Sequence, residues 1–132
     1  MVIDPSAVLD ILQNEPERPA FNAAIASADH CALSAASLVE LSIVIEARYG
    51  PDGQGDLDLF LSMAQISIVG LDREQAEIAR AAFARYGKGR HRASLNLGDC
   101  FSYALAQWLE QPLLFKGHDF CHTDLQPASP VT

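Results

Sequence analysis

Short apolar runs alternate with longer segments of helical periodicity along the chain, and this order constrains the fold more than any other feature. The runs at 1–3, 31–33, 66–69 and 113–115 are predicted strands. The segments between them carry apolar residues at helical spacing. Strands that alternate with helices form a mainly parallel sheet with helices on its faces. We therefore predict an α/β fold whose functional residues lie beyond the carboxyl ends of the strands.

Helix boundaries are predicted from capping and helix-breaking residues. Ser34 is a good N-cap for a long helix, and that helix is expected to end at Gly50 and Pro51, a typical helix stop. Residues 51–55 are then predicted to form a turn before a separate helix. The other predicted helices cover residues 7–12, 21–28, 57–64, 72–86 and 98–109.

Length and composition limit the class of protein. The 132 residues are predicted to form one domain over 1–132, with a loosely held tail from about 126. Seventeen acidic against nine basic side chains give a net charge of −8, which excludes the electrostatics of a protein that coats DNA. Three cysteines without a C-x-x-C pair favour a reducing, cytoplasmic location. We recognise no secretory signal and no membrane-spanning stretch.

Four carboxylates are predicted to meet at one edge of the sheet. Asp4 ends the first strand, and Asp119 comes just after the last one. Glu40 lies about two turns into the helix after the second strand, and Asp99 lies in the first turn of a later helix. Carboxylates held together raise each other's pKa unless a cation neutralises them. A hard divalent ion such as Mg²⁺ or Mn²⁺ suits these oxygen ligands.

Each of these acids also has a structural explanation. Asp4 can cap the first helix, Asp99 can complement a helix dipole, and Asp119 can stabilise a turn. Glu40 is harder to explain in this way, because its helical neighbours are small or apolar and a solvated glutamate is not expected among them. A functional role is therefore favoured most for Glu40 and for the four acids as a set.

A basic loop at residues 87–96 directly precedes Asp99. Four of the nine basic side chains lie in or beside this loop, within RYGKGRHR: Arg85, Lys88, Arg90 and Arg92. In a chain with a net charge of −8, this concentration favours contact with phosphates. Gly87 and Gly89 would let the backbone approach a ligand closely. The alternative is a solvated loop whose charges maintain solubility.

Other reactive side chains are better explained by structure. His118, Cys121 and His122 are closely spaced but lack a second pair of ligands, so a surface turn is favoured over a zinc site. Cys100 has no evident histidine and acid partners, so a small buried residue is favoured over a nucleophile. The chain has no Walker loop and no GxGxxG motif, so nucleotide cofactors are not indicated.

The order of the acids and the segments around them resemble a known family. The segments are MVIDPSAVLDIL, SAASLVELSIVIEARYG, RYGKGRHRASLNLGDCFSYALA and LLFKGHDFCHTDL, and they span nearly the whole chain. Together they resemble PIN-domain ribonucleases, in particular the VapC toxins of VapBC toxin–antitoxin pairs. The resemblance implies a three-layer α/β/α fold, RNA cleavage with Mg²⁺ or Mn²⁺, and homodimerisation. It also implies inhibition by a VapB antitoxin whose C-terminal segment lies in the active-site groove.

The resemblance implies roles for individual residues. Asp4 and Asp99 match the metal-binding aspartates of the family, and Glu40 matches its glutamate. Ser6 matches the hydroxyl residue that orients the first acid or a water molecule.

The register differs at the last acid. Gly117 occupies the position where the family often has its acid, and Asp119 follows two residues later. Asp119 is therefore a metal ligand, a group that acts through water, or a turn residue, and Asp124 is a remote substitute.

The expected mechanism is metal-assisted hydrolysis of RNA, with tRNA or rRNA as the substrate. One or two metal ions would activate a water for in-line attack on a phosphodiester and stabilise the leaving oxygen. Alternatives are an RNA-processing PIN nuclease without a toxin role and a catalytically inactive PIN domain that only binds. A further alternative is a receiver-like signalling module with Asp72 as phosphoacceptor and Lys116 after the last strand. A capping box formed by Asp72 and Gln75 weighs against the receiver.

Overall fold

The computed structural model describes residues 1–128. Four strands occur in the order β1 (Val2–Ile3), β2 (Cys31–Ser34), β3 (Ile66–Val69) and β4 (Leu113–Leu114). Five α-helices occur in the order α1 (Pro5–Leu12), α2 (Arg18–Ser27), α3 (Ala35–Met63), α4 (Arg73–Tyr86) and α5 (Leu97–Leu109). A short 3-10 helix follows at Asp119–His122.

The strands form one parallel sheet in the order β3-β2-β1-β4. Val2 of β1 is in register with Ala32 on one side and with Leu113 on the other. All four strands point the same way, so their carboxyl ends share one edge of the sheet. The predicted parallel sheet is therefore confirmed, with β1 as an inner strand.

Helices cover both faces of the sheet. Successive side chains of a strand point to opposite faces, and this separates Val2 and Leu113 from Ile3 and Leu114. Val2 and Leu113 are buried in a cluster with residues of α4 and α5. Ile3 and Leu114 are buried in a second cluster with residues of α1, α2 and α3. The result is the expected three-layer α/β/α architecture.

The helix α3 differs from its prediction. The predicted break at Gly50 is confirmed, but the turn expected over 51–55 is wrong, because helical hydrogen bonding resumes directly after it and continues to Met63. Gly50 has φ +68° and ψ −156°, so it kinks the chain sharply, and Pro51 begins the second arm. A Cβ on Gly53 would lie 2.7 Å from Tyr49 Cβ, which shows how closely the two arms pack. Leu57 of the second arm is buried in the core with residues of α1 and β2, and this tertiary packing overrides the turn propensity of the glycine-rich stretch.

Replacing Gly50 by alanine is expected to lower the free energy of unfolding by about 1–3 kcal/mol, because an L side chain is strained at this φ and ψ. Urea denaturation would measure the loss. Gly55→Ala is the matched control, since its Cβ would meet no atom within 4 Å inside the same helix. That control is expected to be neutral or to stabilise by up to about 1 kcal/mol. Equal losses in both variants would contradict the proposed strain.

The described end of the chain is attached to β4. The Leu113 N–H donates to the Gln126 carbonyl at 3.0 Å, and the Ala128 N–H donates to the Leu113 carbonyl at 2.8 Å. Of the tail expected to be loose from about 126, residues 126–128 are held by these backbone hydrogen bonds. The rest of that tail, 129–132, lies outside the described residues.

Within residues 1–128, no helix combines the length and the apolar character that crossing a membrane requires.

Candidate active site

Asp4 lies where β1 ends and α1 begins, and its carboxylate is held on both sides. Its Oδ2 accepts a hydrogen bond of 3.0 Å from the Ser6 N–H, which is the N-cap contact of α1. Its Oδ1 accepts one of 2.6 Å from the Ser102 hydroxyl on α5. Burial raises the pKa of Asp4, while the hydrogen bonds from Ser102 and Ser6 oppose this rise. The capping role is therefore real, and it fixes the carboxylate at the edge of the sheet.

Ser102 is a site residue that the sequence patterns did not reveal. It is buried, and its hydroxyl oxygen lies 3.5 Å from that of Ser37 on α3. The signal in the sequence was its place one turn after Asp99, where a small polar side chain interrupts an otherwise apolar helix. Its partner Asp4 is 98 positions away, so spacing alone could not reveal the bond.

Asp99 also combines a capping role with a place in the site. Its Oδ2 accepts from the Asn96 N–H at 3.0 Å, and its own N–H donates to Asn96 Oδ1 at 2.9 Å. This reciprocal pair is a capping box at the start of α5. The Oδ1 oxygen of Asp99 does not take part in the box, so the carboxylate can cap the helix and bind a cation at the same time.

The carboxylate of Glu40 lies directly on Gly98. A Cβ on Gly98 would overlap Glu40 Oε2 and lie 2.6 Å from its Cδ. Gly98 therefore provides the space that lets α3 present this acid to the start of α5, beside Asp99. In the sequence Gly98 indicates only a helix boundary, so this contact was missed.

The four predicted acids influence one another electrostatically. Burial raises the pKa of Asp99 to about 6, the Asn96 backbone hydrogen bond opposes this, and the charges of Asp4, Asp119 and Glu40 raise it further. Partial burial and then the charge of Asp4 raise the pKa of Glu40. Acids from four separate segments are thus near enough at the carboxyl edge of the sheet for their charges to interact. A divalent cation would relieve their repulsion, and carboxylate oxygens are donors that suit Mg²⁺ or Mn²⁺ in their chemistry.

A family model described as PIN domain matches residues 1–125. The chain belongs to the PIN-domain family. VapC ribonuclease Mb0640 from Mycobacterium bovis is 55% identical over 126 residues, which is 95% of either chain. The family and the fold class predicted from the sequence are both confirmed.

Solved structures of PIN toxins share the fold. The Mycobacterium tuberculosis protein VapC20, described as a Sarcin-Ricin loop cleaving toxin, matches with a TM-score of 0.73 at 14% identity. The match covers 96% of this chain and 98% of that one. VapBC2 from Rickettsia felis, solved with a DNA fragment from its promoter, matches with a TM-score of 0.70 at 15% identity, over 91% and 89% of the two chains. At these identities the likeness establishes the fold alone.

The last acid of this PIN domain, Asp119, is exposed at the start of the 3-10 helix. Gly117 turns the chain towards it with φ +92°. Asp124 is bound elsewhere: its Oδ1 accepts from the Tyr103 hydroxyl at 2.5 Å, and its Oδ2 lies 3.8 Å from Arg85. Of these two acids, Asp119 is therefore the one whose charge raises the pKa of Asp99.

A second acidic group lies outside the PIN active site. Oxygens of Asp10, Glu15 and Glu17 lie within 4.8 Å of one another, close enough to share a metal ion. The ammonium of Lys116 already lies among them, 2.7 Å from Glu15 Oε2 and 3.6 Å from each of the other two. We call these four side chains the Lys116 cluster. No pattern in the sequence indicated it.

Backbone hydrogen bonds close the basic loop, and some of its basic side chains contact aromatic rings. The Lys88 N–H donates to the Leu95 carbonyl, and the Leu95 N–H donates to the Tyr86 carbonyl. The Arg85 guanidinium lies 4.8 Å from the centre of the Tyr86 ring, besides its contact with Asp124. Arg90 lies 5.5 Å from the ring of Phe83. These contacts leave Lys88 and Arg92 as the more available pair for phosphates.

The alternative chemistries gain no support from this PIN domain. Burial and then Asp99 raise the pKa of the Cys100 thiol to about 11, which disfavours a thiolate nucleophile. Within residues 1–128, the side chains whose ligand atoms already lie close enough to share a metal ion are Asp10, Glu15 and Glu17, and neither the four predicted acids nor His118, Cys121 and His122 are grouped so tightly. For the receiver, Asp72 caps α4 by accepting from the Gln75 N–H at 2.9 Å.

The raised pKa of Asp99 predicts how stability depends on pH without metal. Between about pH 6 and 4 the folded protein takes up a proton at Asp99 that the unfolded chain does not, so its contribution to stability increases as the pH falls. Asp99→Asn, which keeps an oxygen for the cap, is expected to melt higher than the natural protein at pH 7 in EDTA. That difference should shrink at pH 5. Thermal denaturation at both values measures it, and a constant difference would contradict the assignment.

Proposed function

We propose that this chain forms a single PIN domain that cleaves RNA with a divalent metal and acts as the toxin of a toxin–antitoxin pair. The observation that carries the proposal is the convergence of four acids, with the pKa of Asp99 raised to about 6 partly by the other three. Family membership and a relative that is a VapC ribonuclease support endoribonuclease activity for this site.

The proposed mechanism assigns a task to each acid. Asp4 and Asp99 would hold the ion, and Asp119 would bind it directly or through water. Bound Mg²⁺ or Mn²⁺ supplies Lewis-acid activation of water and stabilises charge on the leaving oxygen. Glu40, whose pKa is raised, is suited to accept the proton from the attacking water. Ser6 and Ser102 fix the carboxylate of Asp4 and so limit its motion between turnovers.

RNA is the proposed substrate, although the net charge of −8 opposes its approach. Cations bound by the acids would convert an acidic edge into one that accepts a phosphate backbone. The basic loop would guide that backbone, with tRNA or rRNA as the expected source. Solved complexes such as VapBC2 support a VapB-type antitoxin as the inhibitor. We further propose a homodimer in the cytoplasm, to be tested by sedimentation and cell fractionation.

The test of function is cleavage of a pool of tRNA and rRNA fragments by purified protein free of antitoxin. We expect cuts at a few positions with Mg²⁺ or Mn²⁺, and none with EDTA or with Asp99→Asn. Mapping the new ends would identify the target. Absence of cleavage with every metal would overturn the nuclease proposal and favour a PIN domain that only binds.

Lys88→Gln combined with Arg92→Gln is expected to raise the KM for RNA while leaving kcat and metal affinity nearly unchanged. The dependence of log affinity on log salt should become less steep by about 0.7 for each phosphate of a single strand that the loop no longer neutralises. Arg73→Gln is the control, because the Arg73 side chain is 92% exposed at the start of α4 and pairs with nearby Glu77 at 3.2 Å. An unchanged salt dependence in the double variant would exclude the loop from RNA binding.

A further inference from the structure

We propose that Lys116 is a positioning residue whose contacts with α1 hold Asp4 and the segment leading to Asp119 at the spacing that a shared cation requires. This inference rests on the proposed metal-dependent function, which it deepens. It concerns the Lys116 cluster, whose four side chains the proposed mechanism does not use.

The ammonium is one of two points at which Lys116 is held. It lies 2.7 Å from Glu15 Oε2 and 3.6 Å from Asp10 Oδ2. Asp10 is completely buried, and among the described residues neither of its oxygens has a hydrogen-bond partner. Burial and the neighbouring Glu17 raise the pKa of Asp10 to about 6, and Lys116 opposes that rise. A buried carboxylate needs a counter-charge, so Asp10 strongly favours this one place for the ammonium.

The backbone of Lys116 is the second point of attachment. Its N–H donates to Ser6 Oγ at 3.0 Å, and the Ser6 N–H donates to Asp4 Oδ2 at 3.0 Å. Ser6 and Asp10 are four positions apart on α1 and therefore share one face of that helix. One face of α1 thus contacts Lys116 at its backbone and at its ammonium. Two attachments fix both position and direction, which a single hydrogen bond could not do.

Lys116 connects Asp4 to the segment that leads to Asp119. Through Ser6 it reaches Asp4, and through Gly117, with φ +92°, it leads to Asp119. A displacement of Lys116 would therefore move both ends of the metal-binding set relative to each other. Asp119 is exposed and begins only a short 3-10 helix, so its position depends strongly on this preceding segment.

The experiment measures metal binding directly, by calorimetric titration of Mn²⁺ into the full chain without RNA. Lys116→Met is expected to raise the Kd for Mn²⁺ by roughly tenfold to a hundredfold, as loss of groups that orient ligands commonly does. Lys116→Arg keeps the charge and is expected to retain most of the affinity. Arg73→Met removes an exposed ion pair of α4 and should leave the Kd unchanged.

A double variant separates positioning from simple stability. Lys116→Met leaves the buried charge of Asp10 without a partner, so its melting temperature should fall. Adding Asp10→Asn removes that charge and should restore the melting temperature. If Lys116 positions the site, the Kd for Mn²⁺ stays raised in the double variant, and KM for RNA at saturating metal stays near that of the natural protein. Recovery of the Kd together with the melting temperature would overturn the proposal.

The outcomes also distinguish this inference from the proposed function. If the natural protein cleaves RNA with metal and Lys116→Met binds Mn²⁺ as tightly as it does, only the positioning role is overturned. If the natural protein neither binds Mn²⁺ nor cleaves RNA, the proposed function fails, and the positioning role fails with it.

Discussion

Asp4→Asn is expected to lower RNA cleavage at saturating Mg²⁺ by at least about a hundredfold. Loss of a group that merely orients a metal ligand lowers metal affinity or activity by about 10–100-fold, and loss of a proposed ligand itself should lower activity more. The fold should survive, because asparagine caps a helix as well as aspartate does and keeps an oxygen for the Ser6 N–H. Cleavage assays over a range of Mg²⁺ concentrations would measure the loss, and natural activity in this variant would exclude Asp4 from the site.

The same substitution is expected to stabilise the metal-free protein by roughly 0.5–2 kcal/mol at pH 7. Asp4 is 5% exposed, and its charge raises the pKa of both Glu40 and Asp99. Removing that charge relieves the repulsion. Asp58→Asn, at an exposed acid on the second arm of α3, is the control and should change neither property. A lower melting temperature in EDTA would show that Asp4 is retained for stability rather than for metal binding.

Gly98→Ala is expected to reduce cleavage by about a hundredfold, because displacing a catalytic group by about 1 Å has effects of this size. The new methyl group would overlap Glu40 Oε2, so the carboxylate must move. Alanine is a better helix former than glycine, so a loss of activity would not reflect a weaker helix. Single-turnover cleavage at saturating Mg²⁺ is the measurement.

Shortening the displaced acid provides the control for Gly98→Ala. Glu40→Asp withdraws the carboxylate by one methylene and makes room for the methyl group, so the double variant should cleave faster than Gly98→Ala alone. Gly70→Ala, whose Cβ would meet no atom within 4 Å, should behave as the natural protein. Failure of Glu40→Asp to improve Gly98→Ala would contradict a steric contact between the two residues.

The parallel sheet could be predicted from local patterns, and the proposal that four acids lie at its edge follows from one topological rule. Short apolar runs mark the strands, and parallel strands place Asp4 and Asp119 at the same edge. The kink at Gly50 was also predicted as a break in α3. The helix directly after it was not predicted, because burial of Leu57 in the core overrides the turn propensity of residues 51–55.

The supporting residues of the site could not be predicted, because their contacts join distant positions. Ser102 donates to Asp4 across 98 positions, and Lys116 reaches Glu15 across 101. Gly98 contributes by having no side chain. The structure is needed to recognise this, because it shows that the Glu40 carboxylate lies where a Cβ would be. Periodicity identifies which face of a helix is buried, but it does not identify the partner.

The pairing of β1 with β4 makes the site depend on a contact between distant parts of the chain. The Asp4 N–H donates to the Leu114 carbonyl at 2.9 Å. Because this contact closes a long loop, we expect it to form late in folding. A partly folded chain in which β2 pairs with β3 but β4 is undocked would lack the strand beside Asp4 and the support for the segment that leads to Asp119. The acids are therefore expected to come together only as folding is completed.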